Sequence, residues 1–205
     1  ISSTALACML LYDKKKLDID AKASRYLSFL RETDKKDITI RQLMAHESGL
    51  KAWIPFWKQT LDSSGNLSPE FYRNQIEHGF TVQVADGIYI RDDYRELIRN
   101  QIVAEPLGAP GNYVYSDLGL ILLQWIVEKI SGKEIDHYVN DNFYKPMGLW
   151  RMGFRPEEWI DTASVIPTEV DTAFRHQLIH GFVHDPAAAM MGGVAGNAGV
   201  FANAR

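Results

Sequence analysis

The sequence has one cysteine, Cys8, among 205 residues, so no disulfide can form within the chain. A lone cysteine says nothing of compartment, because many extracytoplasmic proteins also lack disulfides. An excess of positive charge is missing too. Lysine and arginine number 22 against 26 acidic residues, leaving a formal charge of −4 and a pI near 5.9. No basic patch offsets that balance, which argues against a nucleic-acid partner. No apolar run approaches the roughly 20 residues that span a bilayer, so no membrane-spanning helix is expected. Internal repeats, low-complexity tracts and clear linkers are absent as well. The remaining composition, 46% hydrophobic and 23% charged, is that of an ordinary globular chain, long enough for one domain or one and a half.

Periodicity predicts a helix over residues 1–16, with Ala5, Leu6, Met9 and Leu10 on its apolar face and Lys14 to Lys16 closing it. Leu6-Ala7-Cys8 has the form of a lipoprotein processing site, but no basic segment precedes it, and a buried helical cysteine is the preferred reading. Ala21 to Leu30 reads as a second short helix. Thr39-Ile40-Arg41-Gln42 has capping-box form and opens a helix expected to stop at Gly49. Ser68-Pro69-Glu70 reads as another helix start. Thr81 to Ala85 and Ile88 to Ile90 are β-like runs around an Asp86-Gly87 turn. Asp92-Asp93 caps a helix through Tyr94, Leu97, Ile98 and Ile102. The strongest helix follows Asp117, where Leu118, Ile121, Leu122, Trp125, Ile126 and Ile130 keep three-four spacing until Ser131-Gly132. A further helix is expected from about Glu134 to Tyr144, and after Arg155 the chain turns loop-rich. The chain is already in helical register at Ile1 and stops at Arg205 without a closing element, so it reads as cut at both ends.

The stretch from Pro110 to Gly119 carries the most chemistry. A turn delivers Tyr115, then the small hydroxyl of Ser116, then Asp117, directly onto the long apolar helix. The positive end of a helix favours phenolate character, which suits proton shuttling. Taken alone, a tyrosine before a helix cap is more often packing.

Context changes that balance. The stretch resembles the Tyr-x-Asn motif of class C β-lactamases, D-alanyl-D-alanine peptidases and related esterases, usually Pro-Gly-x-x-Phe-x-Tyr-Ser-Asn-x-Gly. Tyr113, Tyr115, Ser116 and Gly119 fall in its register. Asp37 to Leu50 resembles the Thr-Ile-Arg-x-Leu-Leu-x-His-x-Ser-Gly-Leu block of the same family, and Lys16 to Asp20 its Gly-Lys-Leu-x-Leu-Asp turn. Gly192 to Phe201 resembles its Gly-Gly-x-x-Gly-x-x-Gly-Leu-Phe-Ser stretch. A narrower resemblance, carried by Leu50 to Phe56 and Gly181 to Pro186, is to the module fused behind family-three β-N-acetylhexosaminidases. It implies an upstream glycoside hydrolase domain and a periplasmic or extracytoplasmic parent.

The family resemblance implies an α+β fold of antiparallel sheet plus helical lobe, of which this single partial domain, residues 1–205, supplies mainly the helical lobe with few short strands. It also implies a mechanism. A Ser-x-x-Lys pair opens the first long helix and attacks a carbonyl. The tyrosine relays protons, and backbone N–H groups hold the oxyanion. By this alignment the lysine precedes Ile1 by one residue, so neither it nor the serine lies in the chain, which as given is expected to be inactive. Tyr115 is the one catalytic residue expected here. Ser116, Asp117, Gly192 and Gly193 are expected to bind substrate, a small molecule or peptide, with no cofactor and no metal. Two departures stand out. Asp117 replaces the usual asparagine, which puts β-lactam-type hydrogen bonding in question, and Asn197 stands where the narrower group has histidine.

Several features read better as structure than as sites. Ser48-Gly49-Leu50-Lys51 matches Ser-x-x-Lys, but its serine sits in a glycine turn rather than on a helix face. His176, His180 and His184 repeat every four residues, yet Gly181 and Pro186 interrupt any helix that would align them. The glycine run 192–199 is not a phosphate loop, and reads equally as cleft wall or tight turns. Trp53, Phe56 and Trp57 read as loop anchors ahead of a sugar platform.

Three functions follow in order: a serine acyl hydrolase, a non-catalytic binding module of the same fold, and a metal hydrolase built on the histidine triplet. The last requires stoichiometric zinc after chelator washing. A helical lobe without its sheet exposes apolar surface. Residues 1–205 made alone should therefore associate or precipitate, and a monomer with one cooperative melt in sedimentation and calorimetry counts against that expectation.

Overall fold

The computed structural model describes residues 3–204. The chain divides into two compact units, Ile1–Ile54 with Arg99–Trp150, and Pro55–Ile98 with Arg151–Arg205. Among the described residues no helix is long and apolar enough to cross a membrane.

The first unit is helical: α1 (Thr4–Asp13), α2 (Ile40–Met44), the second half of α3 (Tyr94–Ala104), α4 (Asp117–Ser131) and α5 (Ile135–Val139). Its centre is α4, about 22 Å long at 1.5 Å per residue. Ser116 caps it by accepting from the Gly119 N–H at 3.3 Å, and Gly132 ends it in the left-handed region at φ 70. Every residue from Leu118 to Val127 is buried, because α1, α2 and α5 all pack against it. Each buried Leu or Ile contributes about 1.5–3 kcal/mol. Gln124 sits in that core with its amide donating to Glu128 at 2.9 Å. A π-helical turn, Asn140–Tyr144, follows α5, and the Tyr144 hydroxyl meets Ser3 Oγ at 2.6 Å.

Three sequence expectations are corrected here. The buried face of α1 is Thr4, Ala7, Cys8 and Leu11, while Leu6 and Met9 are 40% and 57% exposed. The helix is apolar all round, so periodicity alone does not select a face, and the small side chains of Ala7 and Cys8 lie on the face that packs inward. Burial pushes the Cys8 thiol up to about 12, which leaves it unreactive. The predicted start at Ile1 lies outside the described residues. In place of a helix over Ala21–Leu30 there are two 3-10 turns, Ala23–Arg25 and Ser28–Leu30. The reason is long-range pairing: Ala23 N–H donates to Ile38 O, and Ala21 O accepts from Ile40 N–H. Helix α2 has the expected capping box but ends at Met44, since His46 enters the left-handed region at φ 57.

Lys35 is 0% exposed yet fully committed. Its ammonium donates to Asp34 Oδ1 at 2.7 Å, Val103 O at 3.1 Å and Glu105 O at 2.5 Å, so it closes the C-terminus of α3.

The second unit holds short antiparallel pieces. β1 (Tyr72–Arg73), β2 (Val82–Ala85) and β3 (Ile88–Ile90) form a sheet in the order β1-β3-β2. The β2–β3 hairpin turns at Gly87, φ 63, as its Asp-Gly signal predicts, with a register shift between Gln83 and Ala85. The expected helix after Ser68 is absent. Ser68 O accepts from Phe71 and Tyr72 N–H in a turn, and Tyr72 then pairs with Ile90. β4 (Met152–Gly153) pairs with β7 (Phe201–Ala202), and β5 (Glu169–Asp171) with β6 (Gln177–Ile179). Helix α6 (Pro186–Met190) starts on Asp185, which accepts from the Ala188 N–H at 2.7 Å.

Arg175, buried in the connection between β5 and β6, donates to Asp171 at 2.7 Å, Glu169 at 3.1 Å, and the Val183 and His184 carbonyls at 2.8 Å each. Burial opposes the charge on Asp171, but hydrogen bonds from Arg175 and the Phe174, Arg175 and Ala173 backbone hold its carboxyl below the usual range.

Lys35→Met retains the stem and removes the charge, leaving the Val103 and Glu105 carbonyls unpaired. The expected loss is about 2–4 kcal/mol, read as a lower urea midpoint. An unchanged midpoint means the α3 closure does not depend on the ammonium.

Candidate active site

Two loops of the first unit are laced together by backbone. Gly108 N–H donates to Gly49 O at 2.8 Å, Gly111 N–H to Glu47 O at 2.9 Å, and Val114 N–H to His46 O at 2.8 Å. Asp117 N–H donates to Ala52 O at 2.8 Å, and Ser116 Oγ to Lys51 O at 2.7 Å. Glycine is required at 49, where φ is 78 and a Cβ would stand 2.5 Å from the Gly108 oxygen. The loop after α2 is thus a template on which residues 108–117 are laid down, and Tyr115 rides on it to the start of α4.

Tyr115 is 43% exposed, with its ring centroid 4.6 Å from that of His46 at a tilt of 31°. Tyr113 approaches the same imidazole edge-on at 6.0 Å. His46 is only 9% exposed and accepts the Ser116 N–H on Nδ1 at 3.1 Å. A backbone N–H can only donate, so Nδ1 is unprotonated and the neutral ring carries its proton on Nε2. Burial pushes the His46 pKa below its ordinary 6.5, in keeping with that tautomer.

Ser116 is 1% exposed, with its hydroxyl donating to Lys51 O and accepting from Gly119 N–H, so it holds the turn from within. Asp117 is half-buried in the first turn of α4, where a carboxylate complements the helix dipole. These residues and Tyr115 therefore assemble in one unit.

Gly192 and Gly193 belong to the second unit. Both are left-handed, at φ 77 and 79, and both line a cavity of about 10 Å³ with Val84, Glu157 and Phe201. Gly199, φ 113, faces the Gly193 carbonyl, where any Cβ would collide. Gly192, Gly193 and Gly199 therefore each occupy a left-handed turn position. Asn197 Nδ2 donates to Asp185 Oδ1 at 3.2 Å. Burial raises the Glu157 carboxyl above its usual value beside the same cavity.

The remaining candidates separate. Ser48 is 2% exposed and accepts from Leu50 N–H, while Lys51 pairs with Glu105 at 3.0 Å, so the two make no serine–lysine pair. His176 and His180 flank β6 and His184 lies beyond it, so the three share no helix. His176 pairs with Gly65 O, His180 with Val165 O, and His184 with Glu169. The ligand atoms that do converge among the described residues, within 4.8 Å, belong to Glu134, Asp136 and His137. Phe56 is buried and Trp57 stacks near Phe174 at 5.8 Å, whereas Trp53 is 56% exposed. Sequence reasoning missed His46 as a site residue. The available signal was its place in the His-x-Ser-Gly-Leu block, although only the fold sets it against Tyr115.

A family model described as beta-lactamase matches residues 2–205. An N-acetylmuramyl-L-alanine amidase of Bacillus subtilis (strain 168) is 30% identical over 220 residues, covering 98% of this chain and 45% of that protein. A protein named as a D-alanyl-D-alanine carboxypeptidase of Escherichia coli (strain K12) is 35% identical over 134 residues, covering 58% of this chain and 30% of its own length. The chain therefore spans less than half the length of these relatives. Among solved structures, a D-stereospecific amidohydrolase from Streptomyces sp. superposes over 100% of this chain and 55% of its own, with TM-score 0.66 and 16% identity. A penicillin-binding protein from Bacillus halodurans covers 98% and 53%, with TM-score 0.57 and 20% identity. At these identities the structural likeness is one of fold.

The neutral His46 sets a pH dependence. Its folded pKa lies below its unfolded one, so between the two the unfolded chain binds the extra proton. Its contribution to stability is whole above about pH 6.5 and declines as pH falls toward the depressed folded value. Urea midpoints taken from pH 7.5 to 5 should decline, with a shallower decline in His46→Asn. Equal slopes in the two proteins would remove His46 from the account.

Proposed function

The chain belongs to the β-lactamase family, and from that premise we propose that it forms part of a serine acyl hydrolase acting on an amide, peptide or ester of cell-wall type. The observation that carries the reading is Tyr115, fixed against the buried His46 ring at the N-terminal end of the buried helix α4. The names of the relatives, an amidase of muramyl-alanine linkages and a D-alanyl-D-alanine carboxypeptidase, support the substrate class and an extracytoplasmic setting.

In this reading the nucleophilic serine and its lysine lie directly ahead of Ile1, as the Ser-x-x-Lys resemblance implies. The serine Oγ–carbon bond forms as the serine proton passes to the lysine–tyrosine pair. The carbon–nitrogen or carbon–oxygen bond of the substrate then breaks, and Tyr115 returns the proton to the leaving group. Water repeats the sequence in reverse and frees the acid. Asp117 presents a carboxylate at the N-terminus of α4, in place of the amide of the Tyr-x-Asn motif. A carboxylate can only accept hydrogen bonds, which disfavours the acceptor groups of β-lactams and favours substrates that offer donors or positive charge.

A second reading, a binding module that keeps the cleft without the chemistry, is favoured by the same Asp117 substitution. One experiment separates the two. The full-length protein is treated with a fluorophosphonate serine probe, and Tyr115→Phe is compared with it. Labelling of the wild type, slowed about 10²–10⁴-fold in the variant, is the expected result. A folded wild type that takes no label is the binding module, and a variant labelled at the wild-type rate removes Tyr115 from the proton path.

A further inference from the structure

The function just proposed depends on the orientation of the half-exposed Tyr115 ring, two residues before α4, and His46 constrains that ring from beneath. His46 holds the two neighbours of Tyr115 with two different groups: its carbonyl accepts from Val114 N–H at 2.8 Å, and its Nδ1 accepts from Ser116 N–H at 3.1 Å. Those bonds bracket Tyr115 and set its backbone dihedrals. The imidazole face then meets the phenol ring at 4.6 Å and a tilt of 31°, which limits the side-chain torsions. Tyr113 meets the same imidazole edge-on, with centroids 6.0 Å apart at 81°.

The identity of residue 46 is informative. It sits at φ 57, a conformation that histidine, asparagine and aspartate tolerate better than most residues. Accepting one backbone N–H there would suit asparagine, whose Oδ1 reaches the place of Nδ1 and which adopts left-handed backbone more readily. Asparagine has no ring to put under Tyr115. What histidine adds at this position is therefore the flat, buried surface against the phenol.

Resting on the Tyr115 reading above, we propose that His46 is a positioning residue for the reaction: a bracket and platform that holds the Tyr115 phenol in its productive orientation without touching substrate.

The test uses the full-length protein and His46→Asn, which keeps the acceptor and the backbone conformation and loses the ring. The expected result is a kcat about 10–100-fold lower with KM changed less than about threefold. In a Tyr115→Phe background the same substitution should change kcat by less than about threefold, because a residue acting through the phenol has nothing left to act through. An H46N effect of the same size in both backgrounds overturns the proposal, as does an H46N protein with wild-type kcat. Full activity in Tyr115→Phe alone sinks the reading of Tyr115 instead, which keeps the two failures apart.

A second readout needs no turnover. With 3-fluorotyrosine at position 115, the wild type should give one narrow 19F line, and H46N a broadened or split one. His46→Phe keeps the ring but leaves Ser116 N–H unpaired, so it should melt lower while retaining the narrow line. This variant decides the question if H46N does not fold: a broadened or split line in folded H46F overturns the platform role. A 19F line unchanged by H46N overturns it as well.

Discussion

The ten residues from Leu118 to Val127 turn through nearly three full turns of α4, and all of them are buried. A helix buried on every side can satisfy its own interior backbone but not its ends, where N–H and C=O groups are left without intrahelical partners. The rest of the first unit follows from that constraint. Gly132 turns the C-terminus into the left-handed region, and Ser116 covers the N-terminus with a hydroxyl that donates onward to Lys51 O. A similar need is met at the end of α3 by the buried Lys35 ammonium.

The cap at Ser116 links packing to chemistry. Its N–H, its hydroxyl and the N–H of Asp117 all bond to the loop 46–52, so the residue that terminates the helix also fastens the loop carrying Tyr115. Rigid placement of a phenol costs side-chain entropy. Here that cost is met by interactions required anyway to start α4. The same economy explains why Gly49 has no substitute: the two loops approach too closely for a Cβ, and any wider spacing would release the bonds that flank Tyr115. A site built this way is tied to the hydrophobic core, and loosening one loosens the other.

The second unit solves its packing by different means. Its strands are two to four residues long and bury little continuous apolar surface. Beside its buried apolar side chains it holds a buried polar hub, Arg175, whose guanidinium ties Glu169 and Asp171 to the Val183 and His184 carbonyls. All its charge is compensated at short range, which is the condition under which a buried cation stabilises rather than disrupts. Left-handed glycines at 192, 193 and 199 let the chain reverse tightly after α6 and return to pair β7 with β4.

Residues alone determined the elements whose signals are local. The capping box at Thr39, the Asp-Gly hairpin, the three-four spacing of α4 and its Ser-Gly stop all arise from neighbours a few positions apart, and all are present in the fold. Motif order also identified the family and drew attention to Tyr115. Tertiary structure decided whatever depended on distant partners. It chose the buried face of α1, because a helix apolar on every side has no preferred face until α4 and α5 are placed. It converted Ala21–Leu30 to 3-10 turns, because residues 38–40 claimed its backbone groups. It drew the turn after Ser68 into a strand opposite Ile90. It also set His46 beneath Tyr115, 69 positions away along the chain, where no periodicity or spacing could register the pairing. Helical and hairpin propensities are encoded in short windows of sequence, whereas the contacts that make a site exist only after the chain has closed on itself.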